Sequence, residues 1–250
     1  MHIDYPRDSQ IPGLRKLWQE AFGDTDAFID HFFQTAFSPW CCRCVTQDGK
    51  VAAALYWFYC QVGQDPYAYL YAVATAKEFQ GQGLCRELMR DVHKLLAEEG
   101  FAGAILVPAG DGLRQMYAKM GYLPLSGMDS FLCEAGETPV KLERLSSDAY
   151  AAARRAYLGP KGVVQEGTGL AFLSGMAQFY QGEDFLLAAY AEGDALQGVE
   201  LLGNRDSAPG ILAALGMIRG SFRVPGDMPF AMVYPLRPAG RPEYFGLAFD

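Results

Sequence analysis

The chain has 250 residues, half of them hydrophobic and 20% charged, the composition of ordinary folded domains rather than of disordered chains. Its formal net charge of −8 argues against non-specific nucleic-acid binding, which depends on Lys and Arg neutralising phosphates. Residues 1–6 show no basic stretch leading into an apolar core, and no apolar run reaches about 18 residues, so a cytoplasmic protein without signal peptide or membrane helix is expected.

In chain order, Leu14, Leu17, Trp18, Ala21 and Phe22 fall at the spacing of an amphipathic helix over Ile11–Phe22, broken by Gly23. A second helix is predicted over 26–37. Cys42–Gln47 and 51–62 read as strands joined by an Asp48-Gly49 hairpin turn, and 67–74 as a third strand. A glycine loop and a helix over 84–99 follow, ended by Gly100. The apolar run 103–107 reads as a buried strand, 113–120 as a short helix, and 122–125 and 130–134 as closing strands. This order describes an α/β layer structure with a mixed central sheet. Strands also hold Tyr56, Trp57, Tyr59, Tyr67, Tyr69 and Tyr71, which alternation divides between two faces.

The stretch 135–140, with Gly136 and Pro139, is the best linker, dividing the chain into 1–134 and 140–250. Beyond it the pattern repeats in abbreviated form. A strand over 140–145 precedes helices over Ser147–Leu158 and 169–180 and a hairpin over 185–191 and 195–202. A short helix over Ala208–Leu215 then leads to strands over 221–224, 230–236 and 244–249. The cysteines Cys41, Cys42 and Cys44 lack a C-x-x-C spacing and a second Cys/His pair, so they read as buried thiols and no metal is expected.

The stretch Gln80-Gly81-Gln82-Gly83-Leu84 carries the chemistry. A strand feeding a glycine loop that opens a helix presents free backbone N–H groups and the positive end of a helix dipole to an anion. No Gly-Lys-Ser/Thr follows, which excludes a P-loop. A third glycine is missing and the loop follows a meander, which fits a dinucleotide fingerprint poorly.

Together, Gln80-Gly81-Gln82-Gly83-Leu84-Cys85 and Met116-Tyr117-Ala118-Lys119-Met120-Gly121-Tyr122 resemble the two signatures of the GNAT superfamily of acyl-CoA-dependent N-acyltransferases. Cys85 stands where that family's loop has Gly or Ala. The resemblance implies a GNAT fold over 1–134 and direct transfer of the acetyl group of acetyl-CoA to a primary amine. Backbone N–H groups around Gln82, Gly83, Leu84, Cys85 and Arg86 would bind the pyrophosphate, in a cofactor-binding loop that also includes Gln80 and Gly81, and Val73 and Thr75 would offer backbone groups to the pantetheine arm and thioester carbonyl. Tyr117 would be the general acid that protonates the departing thiolate; its rival role is packing the short helix on the sheet. Arg86 and Arg90 would either touch CoA phosphates or lie in solvent. The family's frequent Asn before the short helix is replaced by Ala109-Gly110-Asp111-Gly112.

The second segment lacks such a loop and resembles the degenerate second GNAT domain of tandem, Eis-like acetyltransferases. In those enzymes a terminal carboxylate serves as base, which points to Asp250 here, with Glu20, Asp24, Asp26 and Asp30 on the opening helices as further candidates. The acidic chain favours a cationic amine acceptor such as a polyamine, an aminoglycoside or a basic peptide. Neither nucleic acid nor membrane is an expected partner, and a homo-oligomer is compatible. The alternatives are a non-catalytic acyl-CoA-binding or regulatory protein, and transfer of an aminoacyl or longer acyl group.

Overall fold

The computed structural model describes residues 1–249. β1 (His2–Asp4) precedes α1 (Ile11–Phe22) and α2 (Asp26–Thr35), and a meander follows of β2 (Cys42–Gln47), β3 (Lys50–Val62) and β4 (Asp65–Thr75). α3 (Leu84–Glu98) crosses to β5 (Gly103–Leu106), and α4 (Asp111–Lys119) leads into β6 (Leu123–Glu134). The later part holds β7 (Glu143–Leu145), α5 (Ser147–Leu158), β8 (Val164–Gln165) and α6 (Thr168–Ser174). A second meander of β9 (Gln178–Gln181), β10 (Phe185–Glu192) and β11 (Ala195–Gly203) is joined by α7 (Ala208–Leu215) to β12 (Arg219–Pro235).

Local chemistry sets these boundaries. α1 has a proline in its first turn and stops at Gly23, whose φ of 74° few other residues adopt. Thr25 caps α2 by accepting from the Phe28 N–H at 3.3 Å. Asp48 and Gly49 both have positive φ, 53° and 75°, the mirror-image turn whose twist suits a hairpin.

Every strand joins one mixed sheet flanked by helices, as expected, in the order β1-β2-β3-β4-β5-β12-β11-β10-β9-β7, with β6 on β12 and β8 on β3. Among the described residues the parallel neighbours are β4–β5, bridged by α3, and β11–β12, bridged by α7. Each half therefore runs helices, antiparallel meander, helical crossover. The halves meet where β12 pairs antiparallel with β5, Met232 opposite Leu106 and Pro235 opposite Gly103. Side chains from the later half complete the first core: Phe172 and Phe249 pack on Phe58, beside Trp18, Phe32 and Tyr56. A second core gathers Phe185, Leu187, Ile211, Leu212 and Phe222.

Three stretches differ from the sequence expectation. The pairs 122–125/130–134 and 221–224/230–236 are not four strands but the long partners β6 and β12. Their glycines and prolines form a bulge: a Cβ on Gly127 would lie 2.2 Å from the Gly226 carbonyl, and the Asp129 carboxylate accepts from the Asp227 and Met228 N–H groups at 3.1 and 3.2 Å. The helix predicted over 169–180 ends at Ser174, and Tyr180 sits in β9 opposite Leu187, because pairing to β10 outweighs the helical spacing. The predicted strand 244–249 is irregular yet buried. Side chains answer its carbonyls: Ser126 Oγ donates to Phe245, Gln165 Nε2 to Leu247 and Tyr71 Oη to Phe249.

A fragment of residues 1–134 loses β12 from between β5 and β6 as well as the Phe172 and Phe249 rings. It is expected to show no cooperative urea transition; a sharp transition with near-UV circular dichroism like that of the whole chain would refute this.

Candidate active site

β4 and β5 pair for only three residues, from Tyr67–Gly103 to Tyr69–Ile105, after which β5 ends and β4 continues to Thr75. Ala72 there has φ 47°, and the register with β3 shifts between Ala54 and Tyr56, so β4 bulges just past the last pair. A cleft of about 720 Å³ opens at this point. Its walls are the end of β4, the loop into α3, one edge of α1 and the inner face of α4.

The cleft brings together Val73, Thr75, Gln80, Gly81, Gly83, Leu84, Cys85, Arg86 and Tyr117. Gln82 does not line it: its side chain accepts from Gln47 Nε2 and donates to the Glu78 carbonyl. Asp250 lies outside the described residues. Of the four carboxylates on α1, α2 and the turn between them, Glu20 lines the cleft. Asp24 accepts from Trp18 Nε1 at 2.7 Å, Asp26 from Gln19 Nε2 at 3.3 Å, and Asp30 pairs with Arg15. The apolar wall of Leu17, Ala21, Phe22 and Leu113 was not singled out from the sequence as cleft lining. Phe22 and Leu113 are large apolar residues left 47% and 41% exposed, and only tertiary structure shows that they flank one opening.

Gly81 and Gly83 have φ of 77° and 81°, and a Cβ at either would meet nothing within 4 Å. Backbone handedness, not packing, requires glycine here, and the space beside the loop is open. Gly83 caps α3 without a side-chain acceptor, so the first N–H groups of that helix lack an intrahelical partner and suit a phosphate. Gln80 Nε2 donates to the Thr75 carbonyl at 3.1 Å and ties the loop to the strand end. Across the cleft, burial pushes the Tyr117 phenol far above its ordinary range, with a smaller contribution from the neighbouring Cys85 thiol. Tyr117 Oη makes no hydrogen bond within the described residues. Burial also raises Cys85. The strand thiols Cys44 and Cys60 are pushed up to about 11 and about 12, again chiefly by burial.

Residues 2–125 match the family model described as an acetyltransferase (GNAT) domain. The chain belongs to the GNAT acetyltransferases through this segment. It is thus an acyl-CoA-dependent acyltransferase, with acetyl-CoA as co-substrate. Solved structures share the fold across both halves of this acetyltransferase. A GCN5-related N-acetyltransferase from Kribbella flavida is 17% identical, with TM-score 0.70 over 93% of this chain and 70% of its own. One from Anabaena variabilis is 14% identical, with TM-score 0.72 over 94% and 73%. Eis1 from Mycobacterium abscessus is 11% identical, with TM-score 0.67 over 94% and 74%. No curated protein matches the sequence significantly.

Replacing Gly83 by Ala puts a Cβ on a left-handed residue, at a cost of roughly 1–2 kcal/mol in stability. Acetyl-CoA affinity measured by calorimetry should fall at least tenfold while the variant stays folded. Unchanged affinity would show that the loop does not hold the donor.

Proposed function

We propose that this GNAT chain moves the acetyl group of acetyl-CoA to a primary amine by direct attack within a ternary complex. The observation that carries the reading is the convergence of the glycine loop and Tyr117 on one cleft at the separation of β4 from β5. Backbone N–H groups from Gln82 to Arg86 hold the pyrophosphate, and backbone groups of Val73 and Thr75 orient the pantetheine arm and the thioester carbonyl. Tyr117, kept protonated by burial, gives its proton to the departing thiolate.

The acceptor ammonium must first lose a proton, and we assign that step to Asp250. Its neighbour Phe249 is anchored where β4 has left β5: the Phe249 carbonyl accepts from Tyr71 Oη at 2.8 Å, and its ring packs against Tyr69, Tyr71 and Phe58. Residues 140–250 act in this reading as a degenerate second GNAT unit that shapes the acceptor side. The net charge of −8 favours a cationic amine through long-range attraction.

Thiol release from acetyl-CoA across a panel of polyamines, aminoglycosides and basic peptides tests the activity; binding of the donor with no release on any amine would refute it. Tyr117→Phe should lower kcat by about 10²-fold or more with little change in donor affinity. Because the phenol is raised, it stays protonated as pH climbs, so the rate should show no alkaline fall below about pH 10. An alkaline limb near pH 9 that vanishes in Tyr117→Phe would contradict the assignment. Deleting Asp250, which removes its side chain and displaces the terminal carboxylate, should lower kcat by about 10²-fold, and unchanged turnover would remove Asp250 from the mechanism.

A further inference from the structure

The cleft carries charges of both signs on separate walls. Lys77 and Arg86 line it on the side of the glycine loop. On the α1 side stands Glu20, the one carboxylate among the described lining residues. It lies on the face of α1 that turns to the cleft, together with Leu17, Ala21 and Phe22. An acid at this place interrupts an apolar wall without gaining a buried partner. Its charged neighbour is Lys16 on the same helix, 3.6 Å away and 76% exposed. Exposed pairs of this kind contribute little, so the carboxylate is free to take another cation. The end of α1 acts in the same direction. The last carbonyls of a helix lack intrahelical donors and carry its negative pole, and α1 has no basic residue in its last turn to offset that pole.

We infer that the acceptor is an aliphatic diamine, one ammonium of which is held by Glu20 and the end of α1 while the other nitrogen attacks. The inference rests on the acetyl-transfer reading above and names its substrate class. A carboxylate and a negative helix pole favour the protonated form of a nearby amine, because they stabilise its charge. The attacking nitrogen must give up its proton, so the group held here is not the nucleophile. It is a second cation that keeps its charge throughout the transfer. The other nitrogen loses one proton to Asp250 and bonds to the thioester carbon as the C–S bond breaks. Tyr117 protonates the thiolate, and the second proton lost by the nitrogen restores the phenol. The products are a mono-acetylated diamine, CoA and a proton released through Asp250. Between the two nitrogens a methylene chain lies against Leu17, Ala21 and Phe22. Hydroxyl groups in that place would lose water without gaining partners, which disfavours an aminoglycoside.

Initial rates of the full chain with acetyl-CoA and a series of α,ω-diaminoalkanes, each set against the n-alkylamine of equal length, test this. The diamine of best length should exceed its matched monoamine about tenfold in kcat/KM, through KM, the scale of one charge-assisted hydrogen bond. In Glu20→Gln, a change at a side chain 45% exposed, that ratio should fall towards one. Glu20→Asp, with its shorter reach, should keep part of the preference and move the optimum to a longer diamine. A ratio near one in the wild type overturns the proposal while acetyl transfer stands, and so does an unchanged ratio in Glu20→Gln. Equal loss on both amines in that variant also overturns it, since Glu20 would then serve the transfer step and not a second cation. Failure of every amine to turn over overturns the acetyl-transfer reading, and the proposal with it.

Discussion

The chemistry of this fold hangs on a pairing that stops early. β4 and β5 are parallel strands tied by α3, and they share three residue pairs before the bulge at Ala72 turns β4 aside. β5 cannot follow, because β12 holds its other edge through Leu106. A parallel ladder that continued would bury its own backbone groups and leave nothing for a ligand. The premature end instead leaves the last turn of β4 with one edge open. It also sets the uncapped N-terminus of α3 against the buried phenol of Tyr117 on α4, so that the two face each other across one gap.

The two halves run through the same order of elements, and they differ at the start of the crossover helix. In the second crossover, Asn204 and Ser207 precede α7, and the Asp184 carboxylate accepts from Asn204 Nδ2 at 2.7 Å and from Ser207 Oγ at 3.1 Å. The chain's own carboxylate stands beside the start of that helix, where the first crossover leaves α3 uncapped. Asn204 further caps the turn by accepting from Asp206 N–H at 3.0 Å. α7 is also only eight residues long, with no basic residue in its last turn and a largely apolar surface. It is built to cover the second core, and the polar groups before it are satisfied internally.

Local signals in the sequence located most elements. α1, α5 and α7 span the residues that apolar spacing and the glycines after them indicate, and the Gln80–Cys85 loop marks the strand before it and the helix after it. What escaped is what depends on distant partners. Gly127, Gly226 and Pro229 read as strand breaks because glycine and proline weaken ladders, yet facing each other they make a bulge inside one ribbon. Tyr180 fits a helical stripe as well as it fits a strand, and its pairing with β10 and β7 decides. In the site the loop and Tyr117 were legible because their chemistry lies in short motifs. The wall formed by Leu17, Ala21 and Phe22 was not, since the same spacing serves a core face.

The tail 243–249 shows how the later half is bound to the site of the first. Arg154 donates to both oxygens of Glu200, at 2.6 and 2.8 Å, and to the Val163 carbonyl at 3.0 Å, with both charges almost fully buried. Tyr150 and Tyr244 donate to the same carboxylate at 3.2 and 3.0 Å, and burial beside that negative charge holds both phenols protonated. A buried ion pair contributes little net stability against an apolar alternative, whereas losing one member costs about 3–5 kcal/mol. Its effect here is therefore on position more than on stability. Gly246 is forced by the same cluster, since a Cβ there would lie 2.0 Å from Tyr244 Oη and 2.5 Å from Glu200 Oε1. Tyr244 is held by Glu200 at one end of the tail and the Phe249 carbonyl by Tyr71 at the other. A network that joins α5, β11 and the tail thereby fixes where the chain arrives on β4, at the bulge beyond which the cleft opens.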